Sequence, residues 1–501
     1  MQDERVGALK AHLGQVMDLR GAAAVLQWDQ EVYMPPKGAE ARGEQLATLQ
    51  ALAHRLFTSD ETARLLDALE GDLDALPART AKLAEVTRYD YDRALRLPEA
   101  FVKEFAIVQS RAYEAWTAAR AASDFARFRP HLETMVALLR RRADYLGYEE
   151  TPYDALLEDH ERGMTTGMLR PVFAELATRQ SALVERIMAS PRQPDLSWSK
   201  TVWPEEAQWR FCLRVLGDMG YDLEAGRMDR SVHPFSTSFD VYDVRVTTRL
   251  SEREPFMAVM GAIHEGGHAL YSQGHDPEDR RTPLLEGASL GIHESQSRMW
   301  ENMIGRSLAF WRRYTPVLRE HFPEIPRDVS PEQVYAAVNA VQPSLIRVEA
   351  DECTYNLHII LRFEIELDLI EGRLAAADVP EAWNAKVKQY LGIDVPDDAH
   401  GCLQDIHWAH GSMGYFPTYA LGNLYAAQMM PAIERDAPDL WARVEQGDFG
   451  GLLAWLRAHV HRVGRAKTPV EIVRDISGTD PGAEAYLRYL ESKYLPLYGL
   501  A

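Results

Sequence analysis

Between Gly261 and Tyr271 the chain reads GAIHEGGHALY. His264 and His268 stand four residues apart, so a helix would place both imidazoles on one face, at the spacing that lets them reach a single zinc ion. Glu265 follows about 100° around the same helix, able to reach a water activated at that ion. The chemistry implied is metal-assisted hydrolysis with Glu265 as the base. A catalytic zinc takes three protein ligands and keeps an open position. The stretch GASLGIHESQSRMWENMIG offers Glu294, 26 residues after His268, and His293 beside it. The residues alone leave both open, and leave Glu294 able to pair instead with Arg298 at i+4. Gly266 and Gly267 each cost about 0.5–1 kcal/mol relative to alanine within a helix. They predict close approach to this backbone, by substrate or another helix, or packing on the helix that carries Glu294.

The elements that must position these residues read as mainly α. Apolar residues at Phe101, Phe105, Val108, Tyr113 and Trp116 follow a helical period after Pro98. A longer helix is expected from Pro343 to about Gly372. The exception is Phe239 to Leu250, rich in β-branched residues, which predicts one strand just before the two-histidine helix. Alternation puts Tyr242, Val244 and Val246 on one face and Asp243, Arg245 and Thr247 on the other. Trp28, Asp29 and Gln30 read as packing. The loop Ser190 to Glu206 is the candidate boundary within one catalytic unit of residues 1–501, with roughly 1–200 as a helical cover and 201–501 as the half holding the metal site.

Composition narrows the function classes. A formal net charge of −20 disfavours a nucleic-acid backbone or an anionic membrane as partner. Three cysteines, Cys212, Cys353 and Cys402, are too few and too dispersed for a disulfide framework, which favours a reducing compartment. The first residues lack the apolar stretch of a secretory signal, and no run suffices to span a bilayer. A cytoplasmic protein is expected.

Further motifs accompany HEGGH: HPF (His233 to Phe235), DVRVT (Asp243 to Thr247), HESQ (His293 to Gln296), IRVEAD (Ile346 to Asp351) and GCLQDIHW (Gly401 to Trp408). In that order they resemble the signatures of the carboxypeptidase Taq family of zinc metallocarboxypeptidases. The resemblance implies that Glu294 is the third ligand beside His264 and His268. It implies a two-sided helical molecule with a deep groove, the HEGGH helix on its floor, similar to peptidases of the angiotensin-converting-enzyme and neurolysin type. It also implies a homodimer, one Zn2+ per subunit with Co2+ as a possible substitute, and peptide substrates with a free C-terminus. The expected reaction releases single C-terminal amino acids with broad specificity. The alternatives are an oligopeptidase or dipeptidyl carboxypeptidase on the same scaffold, or a helical interaction scaffold with an inactive site.

The oxyanion of such a hydrolysis needs donors, and the segment DIHWAHGSMGYFPTY offers His407, Tyr415 and Tyr419. By analogy with related helical peptidases His407 and Tyr419 are preferred, with Tyr415 as the near-equal alternative. Arg347 is the first candidate for the substrate carboxylate, because a guanidinium binds it through a planar fork. Its competing role is an i+4 ion pair with Asp351. Arg245, beside Asp243, is the second candidate, although a structural Arg–Asp pair is equally plausible there. His233 joins the substrate-binding set through its motif, in a segment that the following proline keeps extended.

Overall fold

Two paired glycines beside two histidines require neighbours at backbone distance, and the fold provides them. The computed structural model describes residues 2–500. Its described residues form twenty α-helices and one three-stranded sheet, as the helical periodicity predicts. The HEGGH motif lies in the helix Pro255–Gln273, here called the motif helix. Glu294 lies in the short helix Leu290–Arg298, the acidic helix. It is followed by a π-helical turn, Met299–Gly305.

The two glycines face different partners. A Cβ on Gly267 would sit 2.7 Å from the Cα of Ser297 and 2.8 Å from the carbonyl oxygen of Gln296, both backbone atoms of the acidic helix. A Cβ on Gly266 would sit 2.5 Å from Cδ2 of Leu216 and 3.3 Å from Cε of Met219, on the helix Glu205–Met219. Helix packing therefore accounts for both positions. On its far side the acidic helix meets the helix Phe416–Asp436, where a Cβ on Gly422 would sit 2.6 Å from Cβ of Glu294. The acidic helix is thus fixed between two helices that both approach it at glycine.

The acidic helix is also fixed at its start. Ser289 caps it by accepting from the amide of Ile292 at 2.9 Å. The buried carboxylate of Glu161 accepts from Gly291 N at 2.9 Å, Ser289 Oγ at 3.0 Å and the Tyr425 hydroxyl at 2.9 Å. Burial pushes its carboxyl up to about 7.

The single strand expected over residues 239–250 is instead part of a hairpin. β2 (Ser236–Asp240) turns through Val241 and Tyr242 into the antiparallel β3 (Asp243–Thr248), and β1 (Gly226–Arg230), not foreseen, pairs with β3 in parallel. Val244 and Val246 do face the core, but Tyr242 sits at the turn and is 58% exposed. The side chain of Asp240 accepts from the amide of Tyr242 at 3.1 Å, a local turn that competes with continued strand.

The long helix also starts later than expected, at Glu352 rather than near Pro343. Asp351 accepts from the amides of Cys353 at 2.9 Å and Thr354 at 3.1 Å, so its side chain sets the start. Gly372 ends it at φ 81°, as expected. The helix after Pro98 runs Glu99–Ala122 and buries Phe101 and Trp116, while Tyr113 is 45% exposed. One apolar core extends from Ala112 to Tyr498 and includes Trp198 and Trp203 in the loop proposed as a boundary; a smaller core joins the helices of the first 95 residues.

The glycine contacts give a graded prediction. Gly267→Ala sets a methyl against fixed backbone and should destabilise by about 1–3 kcal/mol, whereas Gly266→Ala meets the tip of a leucine that can move and should cost less. Urea denaturation of both variants checks this; an equal or reversed order would contradict the packing described.

Candidate metal centre and substrate-binding residues

The motif helix and the acidic helix bring one nitrogen from each histidine and one carboxylate oxygen together. Oε2 of Glu294 lies 3.3 Å from Nε2 of His268 and 3.6 Å from Nε2 of His264. All three ligand atoms fall within 4.8 Å of one another, the one such group among the described residues. Tetrahedral bonds of about 2.0–2.1 Å separate neighbouring donor atoms by about 3.4 Å, so these residues fit a zinc ion. His293 is placed differently: its Nδ1 lies 2.6 Å from Nδ1 of His268, behind that ring.

The opposite edges of the ligands are held by Arg298, the i+4 partner weighed for Glu294, and by Glu301 and Arg306, which sequence reasoning did not single out. Nδ1 of His264 lies 2.9 Å from Oε2 of Glu301, a residue of the π turn. Such an outer carboxylate fixes the ring and directs Nε2 inward. Arg298 donates to Oε1 of Glu294 at 2.6 Å and to Glu301 at 3.2 Å, and Arg306 donates to Glu301 at 3.0 Å. The Glu294–Arg298 pair weighed as a surface salt bridge is therefore real, but it is buried and belongs to the site. Burial alone would raise both carboxyls; Arg298 overrides it and holds Glu294 and Glu301 well below the usual range. Glu265 is buried beside them, and burial raises its carboxyl. The only advance signal for Glu301 was its acidic character within the mostly apolar stretch MWENMIG.

A second cluster surrounds Arg347. The expected alternative partner, Asp351, is committed to capping, and the residue that Arg347 meets is Asp405. Arg347 donates to Oδ1 of Asp405 through Nε at 3.1 Å and Nη2 at 2.8 Å, and to the hydroxyl of Tyr355 through Nη1 at 3.1 Å. Arg362, fully buried, donates to Oδ2 of the same carboxylate at 2.7 Å. Burial would raise Asp405, but the two guanidiniums hold it far below the usual range. Tyr355 joins the clusters, since the Arg298 guanidinium lies 4.2 Å from the centre of its ring.

His407 and Tyr419 also meet here. Nε2 of His407 lies 3.4 Å from the Tyr419 hydroxyl, and the Tyr415 ring centre lies 5.4 Å from that of His407. Tyr419 packs under Arg347, 4.9 Å from its guanidinium carbon. Burial pushes His407 down to about 3, so its imidazole is neutral at neutral pH. Arg245 forms the structural pair: its Nε and Nη2 donate to Asp243, at 2.8 and 2.9 Å, and its guanidinium carbon lies 4.3 Å from the ring centre of Trp28 and 4.9 Å from that of Phe239. Trp28 accordingly serves packing. His233 is exposed on the loop before β2, its carbonyl accepting from Ser231 at 2.7 Å.

The loop that carries His407 and Tyr415 is tied down by a buried carboxylate absent from the motif reading. Glu366 accepts from Trp408 Nε1 at 2.9 Å, Gly414 N at 3.1 Å and the Tyr153 hydroxyl at 2.7 Å. Burial pushes its carboxyl up to about 7 from an ordinary 4.5. The native state then binds this proton more tightly than the unfolded chain. The group's contribution to stability is full below about pH 4.5 and is lost as pH rises through about 7. Glu366→Gln cannot ionise and should flatten that decline, by up to about 3 kcal/mol between pH 5 and 8. Urea midpoints at the two pH values, compared with those of the parent chain, give the answer; an unchanged difference would contradict it.

Comparison with known proteins agrees with this geometry. Residues 8–494 match the family model described as carboxypeptidase Taq (M32) metallopeptidase. Thermostable carboxypeptidase 1 of Thermus thermophilus is 44% identical over 494 residues, 96% of each chain. Carboxypeptidase 1 of Bacillus subtilis is 42% identical over 477 residues, 95% of each chain. The crystal structure of an M32 carboxypeptidase from Deinococcus radiodurans superposes with a TM-score of 0.97 at 41% identity, covering 99% of this chain and 100% of that one. With two histidines and a glutamate converging on one point and a family match over nearly its whole length, this chain belongs to the carboxypeptidase Taq family and is a metallocarboxypeptidase, a peptide hydrolase.

Proposed function

We propose that the protein is a zinc carboxypeptidase that removes single residues from peptide C-termini with broad specificity, with His264, His268 and Glu294 as the zinc ligands. The observation that carries this reading is the convergence of their three ligand atoms within 4.8 Å. Co2+ is the substitute metal, since imidazole and carboxylate donors accept both ions. A bound zinc supplies Lewis acidity, polarising a carbonyl oxygen and acidifying a water.

The protein's own residues divide the remaining work. Glu265 takes the proton of the attacking water and passes it to the leaving amine. Tyr419, with His407 beside it, donates to the oxyanion, and Tyr415 is the alternative donor. Arg347 receives the substrate's terminal carboxylate. Two features support that role: Arg347 and Arg362 share a single carboxylate and leave one net positive charge, and three of Arg347's five N–H groups have partners while two stay available. Arg245, engaged on its fork and stacked on its faces, is the second candidate, and His233 a peripheral one. A homodimer in the cytoplasm completes the proposal, supported by the family resemblance and by three cysteines that are all buried and unpaired. No described helix is long and apolar enough to cross a membrane.

Glu265→Gln should retain zinc and nearly abolish turnover, whereas Glu294→Ala should lose zinc. Metal analysis with assay of a blocked dipeptide tests both; an active Glu265→Gln or a zinc-replete Glu294→Ala would sink the respective role. Free amino acids among the products identify a carboxypeptidase that removes one residue, and dipeptides or internal fragments the alternative.

Arg347→Ala should lower the preference for a free over an amidated C-terminus about ten- to hundredfold, the equivalent of roughly 1.5–3 kcal/mol. Arg362 remains on Asp405, so the variant keeps that carboxylate paired. An unchanged acid-to-amide ratio in a folded variant would move the role to Arg245.

A further inference from the structure

The π turn Met299–Gly305 holds more than Glu301. Its Asn302 carbonyl is taken by two side chains of the last helix, Glu484–Leu497: the Tyr489 hydroxyl donates at 2.9 Å and the Lys493 ammonium at 3.1 Å. Lys493 also donates to the Tyr489 oxygen at 3.0 Å and to Oε2 of Glu352 at 2.7 Å, so all three of its protons have acceptors. The ion pair is buried, with 7% of the Lys493 side chain and 1% of the Glu352 side chain exposed. Stability does not explain such a pair, because apolar residues of similar volume often serve a buried site equally well or better. What the pair does uniquely is present an ammonium to one carbonyl of an irregular turn.

The register of that turn matters to the metal centre. A π turn carries one residue more than the α register would hold, and a return to α geometry would rotate the intervening side chains by about 100°. Glu301 precedes Asn302 directly, and a rotation of that size would take its carboxylate away from Nδ1 of His264. The Asn302 side chain adds only a long contact of 3.4 Å to Asn423, so the carbonyl is the firmer hold.

We propose that Lys493 and Tyr489 are positioning residues for the metal centre, holding the Asn302 carbonyl so that the π turn presents Glu301 to His264. The hydrogen bonds of these two residues reach Asn302, Glu352 and each other, not His264, His268 or Glu294. They act through the backbone of residues 301 and 302 and through the ring orientation of His264, an extension of the outer shell that tunes ligand basicity. The inference rests on the zinc reading given above.

The test is zinc affinity of the full chain, measured by competition with a chromophoric chelator, with urea denaturation of the metal-free proteins alongside. Glu301→Gln and Lys493→Met should each weaken zinc binding about ten- to hundredfold. The double variant should lose little more than the weaker-binding single one, because both changes act on one contact. Metal-free Lys493→Met strands the buried Glu352 carboxylate and should unfold at a lower urea midpoint than the parent, so zinc affinities are compared without urea, where both chains are folded. Zinc binding by Lys493→Met within twofold of the parent, or losses that add in full, would overturn the proposal. If Lys493→Met fails to fold, Tyr489→Phe removes one hydroxyl from the same carbonyl and should weaken zinc at least threefold; an unchanged affinity there overturns it equally. A parent chain that never competes for zinc would instead refute the zinc reading itself, a result distinct from selective loss in the variants.

Discussion

Three carboxylates, Glu265, Glu294 and Glu301, lie buried around the face of one helix, and the cost of holding such charges away from water governs what surrounds them. Two guanidiniums, Arg298 and Arg306, offset two of the charges. One negative charge is left over, next to two imidazoles whose Nε2 atoms point to the same place as Oε2 of Glu294. A divalent cation answers that surplus. The glycines belong to the same arrangement: Gly267 lets the motif helix reach the backbone of Gln296 and Ser297, and Gly422 lets the helix Phe416–Asp436 reach Glu294.

The second cluster has the opposite surplus. Arg347 and Arg362 converge on one carboxylate, Asp405, and the neighbouring imidazoles of His407 and His358 are kept neutral by burial. A peptide's C-terminal residue needs the two surpluses together: a cation for the carbonyl under attack, and positive charge for the carboxylate one residue away. Tyr355 lies between them, its ring against Arg298 and its hydroxyl against Arg347. This bridge fixes the separation of the two clusters through one rigid side chain. Tyr419 stands against the same Arg347, with its hydroxyl 3.4 Å from Nε2 of His407, the arrangement on which its proposed donor role rests.

Buried carboxylates recur as fasteners at a distance from the chemistry. Glu161 secures the start of the acidic helix, and Glu366 secures the loop bearing His407 and Tyr415. Each accepts three hydrogen bonds, and neither forms a direct ion pair among the described residues. Both therefore titrate near neutrality, in contrast to Glu294 and Glu301, which have arginine beside them. The same residue type plays two electrostatic roles, and the neighbouring charge decides which.

The sequence by itself determined the two-histidine helix, its glutamate, the mainly helical class and the ordered motifs that mark the family, because each is written in local spacing or periodicity. It also narrowed the third ligand to two adjacent residues. The family resemblance favoured Glu294, and the tertiary structure turns Glu294 toward the two Nε2 atoms while His293 stands behind His268. Glu301, Asp405 and Tyr355 could not be read in advance, since they meet His264, Arg347 and Arg298 across distances in the chain that no period encodes. The start of the long helix and the turn after Asp240 were missed for a different reason: short-range side-chain capping by Asp351 and Asp240 overrode the broader hydrophobic pattern. Periodicity reports which face of an element is buried. Which charges share that burial is decided by the elements packed against it.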